Sequence, residues 1–349
     1  MKGNKANSCL YKKQQIIVQK ENGLTYSINI KDAVNLLIPN KEGSWLYKEL
    51  DDGQLYVYED NELIPVTKVY KRKYKDKIYD IRTSSGRRIL CSKDHKLLTK
   101  IKRQDKFVFV PAEELHVKDR LCSTVENLNI NKDDFEYLCG EILGIIERHI
   151  VIENNKYIVK IPLRYVKTCS FIKDHLSDIE YIFGESISID ELFGFLWFEL
   201  SKEAYNEFQN ECPYYDDNYS LEFSFGFIDG FIAEYNKYTN TYCVRTDNTD
   251  FILFIEKMML GLGEVNRAKE LLCYPGIYMY FIKKKYYNLF NLANDEKMSP
   301  NKERELYGTI SNIKTFDNDD NYVYELETET HHYSVSGYLC HNCGGKYEE

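Results

Sequence analysis

At 349 residues the chain exceeds the usual length of one core, which favours about two domains. Its 43% hydrophobic and 14% aromatic residues, with 30 tyrosines and seven prolines, exclude a disordered chain and suit a β-rich protein. A net charge of −9 works against non-specific attraction to nucleic acid, leaving room only for a local basic face.

No apolar run approaches the roughly 20 residues of a membrane-spanning helix. The polar start MKGNKANS lacks the apolar centre of a signal peptide. A cytoplasmic protein without membrane contact is expected, and its ten scattered cysteines are expected to be mostly free thiols.

From Cys9 to about Val125, short alternating segments such as QIIVQ (15–19) and KIYDI (77–81) lie between the turn signals Asn22-Gly23 and Ser84-Ser85-Gly86. This pattern predicts an all-β region. The polar stretch 127–134 then leads into longer segments. In ELFGFLWFEL, for example, Leu192, Phe193, Leu196 and Leu200 stand at helical spacing, predicting mixed α and β structure. A second polar stretch, 294–301, closes this region, and strand-like alternation returns in NYVYELETET and HHYSVSGYLC. The two β parts are expected to form one domain, with the middle inserted in a surface loop.

Within the middle, GEILGIIERH (140–149) matches GFIDGFIAEY (226–235) at an offset of 86 residues. Each copy sets two glycines four apart on one helix face, where two helices can approach closely. Two pseudo-symmetric αβ halves are the reading that follows, and two unrelated apolar helices with chance glycines are the alternative.

The C-terminal string LCHNC (339–343) carries chemistry. An asparagine can attack its own backbone carbonyl through its side-chain amide and cut the chain after itself, and His341 stands beside Asn342 to assist as an acid. Alternatively, Cys340 and Cys343 with His331, His332 and His341 suggest a metal or redox module, although no second cysteine pair at zinc-finger spacing accompanies them. The cysteines at 91, 122, 139, 169, 212, 243 and 273 read as small buried or half-buried hydrophobes. The lysine-rich stretches at 71–76 and 283–285 read as solvated faces, with a remnant of a DNA-binding surface as the alternative for the latter.

Combined with Cys9 after Ser8, with Ser92-Lys93-Asp94-His95 in GRRILCSKDHKLL, and with His331 and Tyr333, the terminal string resembles the intein family. KVYKRKYKDKIYDIRTSSGRRILCSKDHKLLT, VPAEELHVKDRL and YELETETHHYSVSGYLCHN resemble that family's blocks. Ser92 stands where Thr is commoner, Glu325 where Asp often stands, and Cys340 where an aliphatic residue usually does. The resemblance implies that Cys9 attacks the Ser8 carbonyl with help from His95 and Ser92, and that Cys343 accepts the resulting acyl group. Asn342 then cyclises with help from His341 and His331, and the flanks are joined. Convergence of Cys9 and Cys343 would let oxidation trap the precursor as a disulfide.

The implied architecture is a β-rich, horseshoe-like, all-β Hint splicing domain at 9–126 and 301–342, with short extein remnants at 1–8 and 343–349. The inserted region, 127–300, resembles the pseudo-symmetric α+β LAGLIDADG homing-endonuclease domain. In that family an acidic residue at the end of each motif helix holds the divalent ions. The glycine-anchored alignment puts His149 and Tyr235 there, neither a carboxylate ligand of the kind Mg²⁺ prefers. Glu147 and Glu234 fall two and one positions away, rotated by about 100° per residue. A degenerate endonuclease with at most residual DNA binding is therefore expected, and the alternative is a bifunctional intein with an active site-specific DNA endonuclease. Splicing is expected to need no cofactor and to take its own exteins as substrate, and Mg²⁺ would matter only to an active endonuclease.

Overall fold

A computed structural model describes residues 9–38, 43, 45–59, 62–100, 106–123, 128, 130–210, 219–233, 242–262, 264, 267–293 and 307–342. The chain divides into two compact units, one of residues 1–128, 256–266 and 303–349, the other of 129–255 and 267–302. Residues 256–266 thus fall in the first unit, whereas the sequence boundaries kept 127–300 in one piece.

The first part of the chain forms β1 (Gln15–Lys20), β2 (Thr25–Asn29), α1 (Ile30–Leu37), β3 (Trp45–Glu49), β4 (Leu55–Glu59) and β5 (Glu62–Lys73). It continues with β6 (Ile78–Thr83), β7 (Arg88–Cys91), β8 (Lys96–Lys100), β9 (Phe107–Pro111) and β10 (Arg120–Cys122).

The middle holds α2 (Phe135–His149), β11 (Ile150–Glu153), β12 (Lys156–Pro162), α3 (Val166–Asp174), α4 (Leu176–Phe183), β13 (Asp190–Leu192), β14 (Phe195–Leu200) and α5 (Lys202–Asn210). After these come α6 (Leu221–Ile232), β15 (Cys243–Thr246), α7 (Thr249–Gly261), β16 (Lys269–Leu271) and β17 (Tyr274–Phe281). The chain closes with β18 (Tyr307–Phe316), β19 (Tyr322–Thr328), β20 (His332–Val335) and β21 (Tyr338–His341).

Two antiparallel sheets build the first unit. One runs β19-β5-β4-β1-β2, with β3 on β5; the other runs β20-β21-β8-β10-β18-β6-β7, with β9 on β8. Strands from both ends of the sequence therefore interleave, as in the β19–β5 and β18–β6 pairs. Alternating residues of these strands, among them Val18, Val57, Val69, Leu97, Leu326 and Val335, share one core. Interleaving places residues near position 9, residues 92–95 and residues 325–342 in one unit.

In the second unit the strand orders are β11-β12-β14-β13 and β15-β17-β16. Its centre is the α2–α6 pair. Asp134 caps α2 by accepting from Glu136 N at 2.9 Å, and Ser220, 86 residues on, caps α6 by accepting from Phe223 N at 3.1 Å. The glycines explain the close approach of the helices. A Cβ on Gly140 would lie 2.2 Å from Phe223 O, and one on Gly226 would lie 2.1 Å from Tyr137 O. The same reciprocity holds for Gly144 against Phe227 O and Gly230 against Glu141 O, both at 2.1 Å. Asp229, fully buried, accepts from the backbone amides of Asn291, Leu292 and Ala293 and from Tyr137 Oη.

ELFGFLWFEL is not a helix but the hairpin β13–β14. Leu192 pairs with Phe195 across the two-residue turn of Phe193 (φ 53°) and Gly194 (φ 82°), whose positive φ values suit the twist of a tight hairpin. Leu196, Phe198 and Leu200 are buried at period two. A spacing of four, as between Leu196 and Leu200, belongs to both periods, which is how the strand reads as a helix. Phe193 itself is 96% exposed at the tip.

Candidate active site

Cys9, 1% exposed, enters the first unit just before Leu10, whose N donates to Tyr324 O at 2.7 Å. Ser92, at the end of β7, binds Cys9 three ways. Cys9 N donates to Ser92 Oγ at 3.1 Å, Ser92 Oγ donates to Cys9 O at 3.1 Å, and Ser92 N donates to Cys9 O at 2.9 Å. The hydroxyl thus grips both polar backbone groups of residue 9.

The turn after Ser92 delivers His95 into the interior, 0% exposed. Neither of its ring nitrogens has a hydrogen-bond partner among the described residues. Burial, and then neighbouring His341, push its pKa down to about 3. At neutral pH His95 is therefore an uncharged imidazole.

Asn342 follows β21 and is fully buried. Its N donates to His331 O at 2.9 Å, and its side-chain Nδ2 donates to Thr328 Oγ1 at 3.3 Å. Thr328 Oγ1 in turn donates to His332 O at 2.9 Å. Left-handed backbone at His331 (φ 62°) turns the chain so that its carbonyl meets Asn342 N. His341 Nδ1 contacts Asn342 O, the carbonyl of the bond that precedes residue 343. Phe109 packs edge-on to the His341 ring at 5.2 Å and stacks on His332 at 4.9 Å. Burial, with His332, Lys96 and His331 nearby, holds the pKa of His341 down, so a proton on Nδ1 can be donated to the Asn342 carbonyl by a neutral ring.

Beneath these groups Tyr333 Oη donates to Glu325 Oε1 at 2.6 Å, both side chains being buried. Burial raises the pKa of the Glu325 carboxyl well above the usual carboxylate range. Burial likewise keeps Cys340 a neutral thiol. No group of three His, Cys, Asp or Glu side chains among the described residues is arranged to hold a metal.

Of the residues singled out in the sequence, Cys9, Ser92, His95, His331, His341 and Asn342 all lie in the first unit. Ser8 and Cys343 lie outside the described residues, as do Glu234 and Tyr235. Sequence reasoning missed Arg72, Thr328 and Phe109. The lysine-rich stretch at 71–76 is not wholly solvated: Lys71 is 6% exposed, and Arg72 reaches the site, its Nε donating to Cys9 Sγ at 3.3 Å. A polar segment that forms the end of a long strand alternates inward and outward, and strand period was the signal available there.

The intein splicing domain family matches residues 14–342. The chain belongs to that family. No curated protein sequence matches it. Among solved structures, the transcription factor IIB Mvu mini-intein is similar at 11% identity and TM-score 0.40, over 96% of this chain and 99% of that one. The Pab PolII intein is similar at 11% identity and TM-score 0.41, over 96% and 100%. I-DmoI, solved with its nicked target DNA, is similar at 14% identity and TM-score 0.33, over 46% and 98%. Membership rests on the family match, not on these distant likenesses.

As an intein, the protein processes itself: its activity is self-splicing, its substrate is its own flanking segments, and its first unit is the Hint-like β-fold of the splicing domain, in which helix α1 interrupts the segment expected to be all-β. No helix among the described residues is long and apolar enough to cross a membrane. In the second unit of this intein, His149 ends α2 with its ring 5.9 Å from that of Tyr165, and burial pushes its pKa down to about 4. Glu147 accepts from Asn248 Nδ2 at 3.2 Å.

Proposed function

We propose that this intein splices through Cys9, Cys343 and Asn342 in four steps. Cys9 Sγ attacks the Ser8 carbonyl, the Ser8–Cys9 peptide bond breaks, and the thiol proton ends on the departing nitrogen, leaving a thioester. His95 moves that proton and Ser92 holds the residue-9 backbone in place. Cys343 then takes the acyl group onto its own sulfur. Asn342 Nδ2 attacks the Asn342 carbonyl carbon and gives up a proton, the Asn342–Cys343 peptide bond breaks, and His341, with His331 in support, delivers a proton to the departing Cys343 nitrogen, releasing residues 9–342 as a succinimide. A sulfur-to-nitrogen shift finally joins Ser8 to Cys343 by a peptide bond.

The observation that carries this reading is the grip of Ser92 on Cys9: Cys9 N donates to Ser92 Oγ at 3.1 Å and Ser92 Oγ donates to Cys9 O at 3.1 Å. Buried His95 belongs to the same turn, its N donating to Ser92 O at 3.2 Å, and His341 Nδ1 contacts the Asn342 carbonyl. A reducing, cytoplasmic setting would keep the two nucleophilic cysteines as thiols, and no cofactor enters any step. Mass spectrometry of Cys9→Ala and Asn342→Ala precursors tests the assignment. Cys9→Ala is expected to give no ligated flanks, and Asn342→Ala to retain its C-terminal flank while forming a hydroxylamine-sensitive thioester at residue 8. Ligated product from either variant would contradict it.

We further infer that the insertion is a pseudo-symmetric α+β domain of the LAGLIDADG type whose DNA cleavage is lost. The reciprocal glycine contacts, the helix caps 86 residues apart and the shared order of three strands support the two-half reading. His149 offers Mg²⁺ a nitrogen where hard oxygens would be needed, and Glu147 is engaged by Asn248. On the first sheet Lys156 pairs with Glu199 at 2.8 Å and Lys160 with Glu153 at 2.7 Å, so neither cation stands uncompensated for a phosphate backbone. Incubation with the uninterrupted host gene and Mg²⁺ or Mn²⁺ is expected to give no site-specific cleavage. A specific cut would establish the bifunctional alternative.

A further inference from the structure

Three buried cysteines surround the splicing site, but their surroundings differ. Cys91 and Cys340 are fully buried, and burial holds both as neutral thiols. Cys9 is as deeply buried, yet a guanidinium touches its sulfur: Arg72 Nε donates to Cys9 Sγ at 3.3 Å. The far end of that guanidinium is tethered, with Arg72 Nη2 donating to Asp94 Oδ2 at 3.1 Å. Tyr74 flanks the group with its ring centroid 5.1 Å away. Only 17% of the Arg72 side chain is exposed, so solvent screens the contact weakly.

We propose that Arg72 is a further catalytic residue of the first splicing step, its fixed positive charge stabilising the thiolate of Cys9 as it attacks the Ser8 carbonyl, with Asp94 as the positioning residue. The inference rests on the reading of Cys9 as first nucleophile. An arginine suits this task because it stays protonated at every working pH and so cannot itself remove the proton. That proton leaves the thiol, the sulfur–carbon bond forms, the Ser8–Cys9 carbon–nitrogen bond breaks, and the proton ends on the nitrogen. Arg72 enters and leaves the step unchanged. Asp94 belongs to the same turn as Ser92 and His95, so one turn positions the acyl backbone, the base and the cation.

The test uses the full precursor carrying both Asn342→Ala and Cys343→Ala, in which only the N-terminal step proceeds. Cleavage at residue 8 by dithiothreitol is followed from pH 6 to 9.5, with Arg72 intact, as Arg72→Met and as Arg72→Lys, and read as the ratio of variant to parent rate. The expected ratio for Arg72→Met is about 0.1 or lower near pH 7 and rises towards one at high pH, as for loss of about one unit of charge-stabilised thiol acidity. Arg72→Lys is expected to lie between the two. A ratio near one at every pH, or the same loss at every pH as a merely structural role would give, overturns the proposal. A parent that shows no Cys9-dependent cleavage overturns the nucleophile assignment, and the role of Arg72 with it.

Discussion

Asn342 donates from its side-chain nitrogen to Thr328 Oγ1 at 3.3 Å, while its own Oδ1 has no partner among the described residues. In the proposed cyclisation Nδ2 is the nucleophile, and its bond to Thr328 sets the orientation of the side-chain amide. Thr328→Val keeps the shape and removes the acceptor. We expect it to slow release of the C-terminal flank by roughly 10–100-fold, the scale of a misplaced reacting group. C-terminal cleavage followed by gel or mass spectrometry at parental rate would contradict this.

His95 makes stability depend on acid. Its folded pKa, about 3, lies below the ordinary value, so its contribution is complete above the unfolded pKa and is lost as pH falls, because only the unfolded chain then takes up the proton. In a Cys9→Ala, Asn342→Ala background, the parent should lose about 2 kcal/mol more than a His95→Met variant between pH 7 and pH 5. Denaturant unfolding at the two pH values measures this, and equal losses would place the proton elsewhere.

Glu325 has the opposite sign. Burial raises its folded pKa, so its contribution is complete below the unfolded carboxyl pKa and declines as pH rises from there. Glu325→Gln, which preserves the neutral form that accepts from Tyr333, should remove a decline of about 1.4 kcal/mol per pH unit above pH 5. Parallel stability profiles for parent and variant would show that the carboxyl is already ionised in the fold.

The α2–α6 contact predicts a large effect of a single methyl group. A Cβ at residue 144 would lie 2.1 Å from the Phe227 carbonyl oxygen, and backbone cannot swing aside as a flexible side chain can. Gly144→Ala should therefore destabilise the second unit by roughly 3 kcal/mol, the upper range for overpacking. Calorimetry of parent and variant precursors would detect the shift, and coincident transitions would refute the close packing.

Much of this was legible in the sequence because its signals are local. Asn22-Gly23, Ser84-Ser85-Gly86 and the alternation around residues 15–19 and 77–81 specify turns and strands within a few positions, and the paired glycines announce the close contact of α2 with α6. The ELFGFLWFEL segment misled because its leucines satisfy two periods at once, and only the positive φ of Phe193 and Gly194 resolves them. Cys9, His95 and Asn342 were recognisable by residue type and order. Arg72 and Thr328 were not, since an arginine in a basic run and a threonine among threonines gain meaning only when β5 and β19 pair and carry them to Cys9 and Asn342.

In the proposed reaction the chain cuts itself out at Cys9 and Asn342 and joins what flanks it. Intact-mass analysis of the freshly expressed wild-type precursor under reducing conditions tests this most directly. The expected products are a fragment of residues 9–342 ending in a succinimide or its hydrolysis product, together with a flank in which Ser8 is bonded to Cys343. A precursor that remains whole would contradict it.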